Sequence, residues 1–162
     1  MQQIILSTNM VQEQHYINTL YYQVEQTAKY CRYLGAQLFN KLKTDVSVEE
    51  LVTLDTLSLN EGICQRDLAK LILKDRPATG RILNALEDKG YIKRSADTKN
   101  NRLVRKITMT ENGKLILRKV IGMIKVYLEK IPHEFSEEKI EEMKNNMKEF
   151  RNILEKEVEF NI

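Results

Sequence analysis

Apolar residues recur at steps of three and four along most of this chain, and that rhythm predicts helices. Over residues 11–42 the stripe is Ile17, Leu20, Tyr21, Val24, Ala28, Cys31, Leu34 and Leu38, which predicts one long helix. Residues 47–59 predict a second. Ser47 and Glu50 there have the spacing of a capping box, and Val48, Leu51, Val52, Leu54 and Leu57 are its expected inward face. Asn60, Glu61 and Gly62 read as a turn. Two shorter helices follow, over about 65–73 and 76–89. In the second of these Thr79, Ile82, Leu83 and Leu86 fall at i, i+3, i+4 and i+7. Asp75 stands where an N-cap is needed, and Pro77 falls in the first turn, where a missing N–H costs nothing. Gly90 suits the position just past the helix end, with Tyr91 as the apolar residue after it.

The period then shortens. Residues 91–94 and 104–109 read as two strands around a polar tip at 97–101. Thr110 is placed to cap a further helix that ends before Pro132, with Leu117, Val120, Ile121, Ile124, Tyr127, Leu128 and Ile131 inward. A last helix begins near Ser136. Its Ile140, Met143, Met147, Phe150 and Leu154 alternate by three and four, as the a and d positions of a coiled coil do.

The order helix, turn, helix, glycine, hairpin over residues 62–110 is that of a winged helix-turn-helix, which sets one helix in a DNA major groove and a hairpin beside it. The predicted class is therefore mainly α, in the α+β winged helix-turn-helix manner. The expected division is an N-terminal dimerisation helix over 1–46, a DNA-binding domain over 47–110 and C-terminal dimerisation helices over 111–162. One winged helix cannot bury all the apolar stripes, so a second copy of the chain is expected to cover them; the rival reading is a helical bundle within a monomer. With two prolines, six glycines and 30% charged residues in 162, composition agrees with long helices and not with an all-β fold.

Charge changes the picture of the central segment. Between Gly62 and Lys106 there are twelve basic residues against five acidic, a net charge of +7, whereas the whole chain carries +3, which leaves −4 for the rest. A mild overall charge hides a basic centre, and that distribution steers a polyanion to one region. On the second helix of the motif Arg76, Ala78, Gly80, Arg81 and Asn84 are expected to face outward. Ala78 and Gly80 are small enough for close approach to base edges, and Arg76 and Arg81 are long donors suited to guanine or phosphate. The plainer alternative is an amphipathic helix with solvated arginines; the complete motif order favours DNA.

Other chemistry is scarce. Cys31 and Cys64 lack metal-ligand spacing, His15 and His133 lie far apart, and no phosphate loop, HExxH or nucleophile elbow occurs. No enzyme, metal or cofactor is expected. With no signal pattern and no apolar run near 18 residues, a soluble cytoplasmic protein without membrane contact is expected. Cys31, on the apolar stripe, is expected to be buried and inert, and Cys64, at a helix start, to be the more reactive thiol.

QRDLAK at 65–70, RPATGRILNALEDKGYIKR at 76–94 and ITMTENGK at 107–114 resemble the motif blocks of the MarR family (multiple-antibiotic-resistance regulators), and helix order resembles it over most of the chain. The resemblance implies a homodimeric regulator, expected to be a repressor on a palindromic operator. It places base contacts at 76–81 (Arg76, Pro77, Ala78, Gly80, Arg81), phosphate contacts at Gln65 and Arg66, and a minor-groove arginine at Arg102 in the wing, near Lys99. It also implies release by a small aromatic or phenolic effector, or by an oxidant; tyrosines 16, 21, 22, 30 and 33 suit the lining of an effector crevice, and ordinary dimer-core packing explains them as well. The sequence departs from the family at Asn101, usually acidic, at Leu103, often arginine, and at Cys64, often a Ser or Thr cap. Alternatives are a winged protein-interaction module without operator recognition, from a different class, and an activator or ligand-independent regulator within the same class.

Overall fold

The structure is a computed structural model that describes residues 15–99, 102–129 and 134–158, with the side chains of 97–104 outside the description. The chain forms two compact units, Met1–Thr44 and Asp45–Ile162.

In the first unit a 3-10 turn, Tyr16–Asn18, precedes helix α1, Leu20–Leu42. Within the described residues the helix predicted over 11–42 starts at Leu20; residues 11–14 lie outside the description. Thr19 is its N-cap: the hydroxyl accepts from the Tyr22 N–H at 3.3 Å and donates to the Tyr16 carbonyl at 2.7 Å. Along the predicted stripe only Leu38 is buried; Val24, Ala28 and Leu34 are half-buried, and Ile17, Leu20, Tyr21 and Cys31 are exposed. Cys31 is thus a surface thiol, because the stripe that carries it is uncovered.

The second unit runs α2 (Val48–Leu59), α3 (Gln65–Leu71), α4 (Arg76–Asp88), β1 (Ile92–Lys99), β2 (Arg102–Met109), α5 (Glu111–Leu128) and α6 (Glu137–Glu157). Leu54, Leu57, Leu68, Leu83, Leu86, Ile107 and Val120 are fully buried and form its core, where α2 packs on α3, α4, α5 and β2. The face of α2 is the predicted one only in part: Leu54 and Leu57 are buried as expected, together with Glu50 and Thr53, while Leu51 is half-buried and Val48 and Val52 are exposed. Two interactions of Glu50 fix that rotation. Its carboxylate accepts from the Ser47 N–H at 2.7 Å, which completes the capping box, and from the Lys89 ammonium at 2.7 and 2.8 Å. A carboxylate paired this way can enter a core.

The strands pair antiparallel from Ile92↔Met109 to Lys99↔Arg102 and are longer than the sequence reading made them. Residues 62–64 lie along the outer side of β2. The Gly62 N–H donates to the Ile107 carbonyl and the Ile107 N–H to the Ile63 carbonyl, both at 3.1 Å. In α5 Gly113, Leu117 and Val120 are buried, Ile124 and Tyr127 half-buried, and Ile121 and Leu128 exposed. Ile131 lies outside the described residues. No residue of α6 is buried: Ile140, Phe150 and Leu154 are half-buried, Met143 and Met147 exposed.

Candidate nucleic-acid interface

The motif is closed by backbone hydrogen bonds at each helix end. α3 begins at Cys64, whose thiol caps nothing and donates instead to Asp67 Oδ2 at 3.2 Å. It ends with the Leu73 N–H on the Lys70 carbonyl (3.3 Å) and the Lys74 N–H on the Ala69 carbonyl (3.0 Å), with Leu73 at φ 53°. That closure normally uses glycine, and a leucine there costs about 1–2 kcal/mol. α4 begins with Asp75 Oδ1 accepting from the Ala78 N–H at 2.6 Å. Its end is the expected one: Gly90, at φ +72°, donates to the Glu87 carbonyl at 2.8 Å, and the Tyr91 N–H donates to the Leu86 carbonyl at 2.9 Å.

With Thr79, Ile82, Leu83 and Leu86 buried as predicted, the opposite side of α4 carries Pro77, Arg81 and Asn84, all exposed, and Arg76 is exposed at the helix start. Among the described residues Arg81 forms no ion pair. Ala78 and Gly80 are half-buried and sit to the side of that row. A Cβ on Gly80 would lie 3.2 Å from Gln65 Nε2, which itself donates to the Arg76 carbonyl at 3.0 Å. The small residue thus makes room for a side chain that crosses from α3 to the first turn of α4. Arg66 is exposed and pairs with its neighbour Asp67 at 3.4 Å. The backbones of Lys99 and Arg102 pair at the far end of the hairpin. Their side chains, and Asn101 altogether, lie outside the described residues.

Sequence reasoning counted every cation of the segment toward one basic face. Three of them are tied elsewhere: Lys74 pairs with Glu49, Lys89 with Glu50 and the Asp45 carbonyl, and Arg94 with Glu87. The other exposed cations among the described residues are spread over α3, α4 and the hairpin: Arg66, Lys70, Arg76, Arg81, Lys93, Arg105 and Lys106. Arg94, at the base of the wing, donates through Nε to Glu87 Oε2 at 2.9 Å and through its terminal nitrogen to both Glu87 Oε2 and Asn84 Oδ1, the latter at 2.8 Å. Its backbone N–H adds a bond to Glu87 Oε1 at 3.1 Å. The hydrogen bond from Arg94 holds the Glu87 carboxyl below its usual range. The sequence carried no signal for this cluster beyond opposite charges seven residues apart.

A second junction ties α4 to α5. The Thr110 hydroxyl accepts from the Gly113 N–H at 3.1 Å and donates to the Gly90 carbonyl at 2.7 Å, and the Thr110 N–H donates to the Tyr91 carbonyl at 3.0 Å. A Cβ on Gly113 would stand 2.1 Å from the Tyr91 carbonyl oxygen, so only glycine fits. The Tyr91 hydroxyl donates to Asp45 Oδ2 at 2.6 Å. That bond, with partial burial, raises its pKa to about 12.

Residues 46–104 match the model of the MarR family. Over these residues the winged unit is similar to that family. The matched residues take in α2, α3, α4 and β1 whole, and so the whole helix-turn-helix described above. Among solved structures, the MarR-like chain is similar to the S. aureus MepR–DNA complex, at 23% identity over 86% of this chain and 99% of that one, with TM-score 0.67. It is similar to Streptococcus pneumoniae FabT in complex with DNA, at 26% identity over 85% and 99%, TM-score 0.64. It is also similar to the transcriptional regulator SlyA, at 25% identity over 83% and 94%, TM-score 0.65. No curated protein sequence matches the chain.

His15 is exposed, just before the first turn, and His133 lies outside the described residues. Among the described residues no group of three or more His, Cys, Asp or Glu is placed to hold a metal ion, and no helix is long and apolar enough to cross a membrane.

Proposed function

We propose that the chain is a cytoplasmic, homodimeric, sequence-specific DNA-binding transcriptional regulator that represses from a palindromic operator. The observation that carries this reading is the exposed row Pro77, Arg81 and Asn84 on a helix capped at both ends, with Arg76 at its start and a hairpin beside it. MepR and FabT, which share the fold, have been solved on DNA. In this reading residues 47–110 engage DNA, and 1–46 and 111–162 bring two copies together. The recognition helices then fall about 34–36 Å apart on one DNA face. Gln65, Arg66, Lys99 and Arg102 add contacts to phosphate and the minor groove. A small aromatic or phenolic effector, or an oxidant, changes the separation of the two helices and releases DNA. The exposed Tyr30 and Tyr33 of α1 offer rings to such an effector.

Titration of the full chain against a selected palindrome and a scrambled duplex, at two salt concentrations, tests this. Arg81→Ala is expected to cost about 1–3 kcal/mol on the palindrome and less on the scrambled duplex. Arg102→Ala is expected to weaken both, with a shallower salt dependence. Unchanged affinity for both duplexes in both variants would refute the docking, and would favour the protein-interaction alternative.

A further inference from the structure

We propose that Asn84 reads hydrogen-bond acceptors on a guanine or thymine edge, and that Arg94 is the positioning residue that gives it this preference. The inference rests on the DNA-binding reading above and adds the specificity of one side chain.

An asparagine side chain carries an acceptor and a donor group of nearly the same shape, so which one faces outward has to be argued from its partners. Here the partner decides. A guanidinium only donates, so the group that meets the Arg94 terminal nitrogen at 2.8 Å has to be the carbonyl oxygen, Oδ1. Arg94 is not free to choose another role. Its Nε and terminal nitrogen hold the Glu87 carboxylate, its backbone N–H holds the other Glu87 oxygen, and its side chain is only 18% exposed. The bracket spans two elements, since Glu87 and Asn84 belong to α4 and Arg94 to β1. The amide of Asn84 is therefore held with its oxygen toward the base of the wing, which leaves the NH2 group for partners beyond the protein.

That orientation selects among bases. The paired contact of asparagine with adenine needs Oδ1 to accept from N6 while Nδ2 donates to N7. With Oδ1 engaged by Arg94, the outward chemistry is donation, which suits the adjacent acceptors N7 and O6 of guanine and O4 of thymine, whereas adenine offers N7 alone beside its N6 donor. Asn84 is exposed and lies one turn beyond Arg81 on the same row, so a donor there extends a donor-rich surface.

The experiment is binding-site selection from a random duplex library with the full chain, as wild type, Asn84→Ala and Arg94→Lys. Asn84 is exposed on a helix, so its alanine variant keeps the fold, and thermal melting of each protein verifies this. The wild type is expected to enrich a two-fold motif in which one column of each half-site favours guanine or thymine. Asn84→Ala should flatten that column alone, and should lower affinity for the selected duplex about fivefold while leaving the scrambled duplex unchanged. Arg94→Lys keeps a charge for Glu87 but loses the fork that holds the amide, so adenine should rise in the same column. Adenine already dominant in the wild type, a column indifferent to Asn84→Ala, or an equal loss on both duplexes as for a phosphate contact would each overturn the proposal. A motif that forms but ignores Asn84 sinks this inference only. A wild-type protein that enriches no motif sinks the DNA-binding reading with it.

Discussion

Helices α4 and α6 start alike and end in different surroundings. Both have a side-chain cap, Asp75 on the Ala78 N–H and Ser136 on the Lys139 N–H at 3.2 Å, and both carry apolar residues at helical spacing. Yet α4 buries Thr79, Ile82, Leu83 and Leu86 within 13 residues, while α6 buries none in 21 and is laced on its surface by ion pairs such as Lys139–Glu142 at 2.7 Å. Local chemistry is enough to specify a helix and its apolar side. What covers that side is a separate matter, settled within the chain for α4 and, on the dimer reading, by a second copy for α6. The two helices should then respond differently to change.

Removing residues from Ser136 onward should have the largest effect: loss of the dimer, leaving a monomer or an aggregate, read by sedimentation. A truncated protein that remains a soluble, DNA-binding dimer would show that the apolar side of α6 was never the interface. Next is Gly113→Ala at the α4–α5 junction. With a backbone oxygen 2.1 Å from the new methyl group, the winged unit should lose about 3 kcal/mol in urea unfolding, at any protein concentration. A variant within a few tenths of wild type would mean the junction yields at little cost.

Two smaller effects sharpen the same contrast, since neither should depend on dimer formation. Leu73→Gly relieves a left-handed leucine and should stabilise the unit by about 1 kcal/mol, measured by thermal melting; destabilisation would count against that strain. Tyr91→Phe removes the bond to Asp45 and should cost about 1 kcal/mol at neutral pH. The sign of its pH dependence follows from the raised hydroxyl. The contribution is complete below the unfolded value near 10 and is lost as pH rises toward about 12. Urea midpoints should therefore fall above pH 10 in wild type and fall less in Tyr91→Phe; identical pH profiles would remove this bond from the account.

The features legible in the sequence are those that depend on neighbours a few residues away. The capping box of Ser47 and Glu50, the Asp75 cap, the Gly90–Tyr91 closure and the Thr110 cap all stand where their residue types place them. So does the inward face of α4. The start of α1 at Thr19 was not read, since the apolar stripe runs on through Ile17. The rest needed distant partners. The rotation of α2 depends on Lys89, 39 residues from Glu50, and the edge formed by 62–64 depends on Ile107. That the strands reach Lys99 and Arg102 depends on cross-strand pairing, which spacing along one strand does not report. At the candidate interface the outward positions of Arg76, Arg81 and Asn84 were legible from periodicity. The engagement of Asn84 by Arg94, and of Gln65 by the Arg76 carbonyl, were not, since helix spacing says nothing about bonds between elements.

The contact of Gly113 with Tyr91 also has a mechanical meaning. At about 1.5 Å per residue, the 18 residues of α5 make a rod of about 27 Å whose first turn bears on the end of α4 without an intervening side chain. A tilt of about 10° about this fulcrum swings the free end through about 5 Å. The ratio works in reverse as well. By the same ratio, a displacement of several ångströms near Leu128 would reach the Gly90 end as a fraction of an ångström.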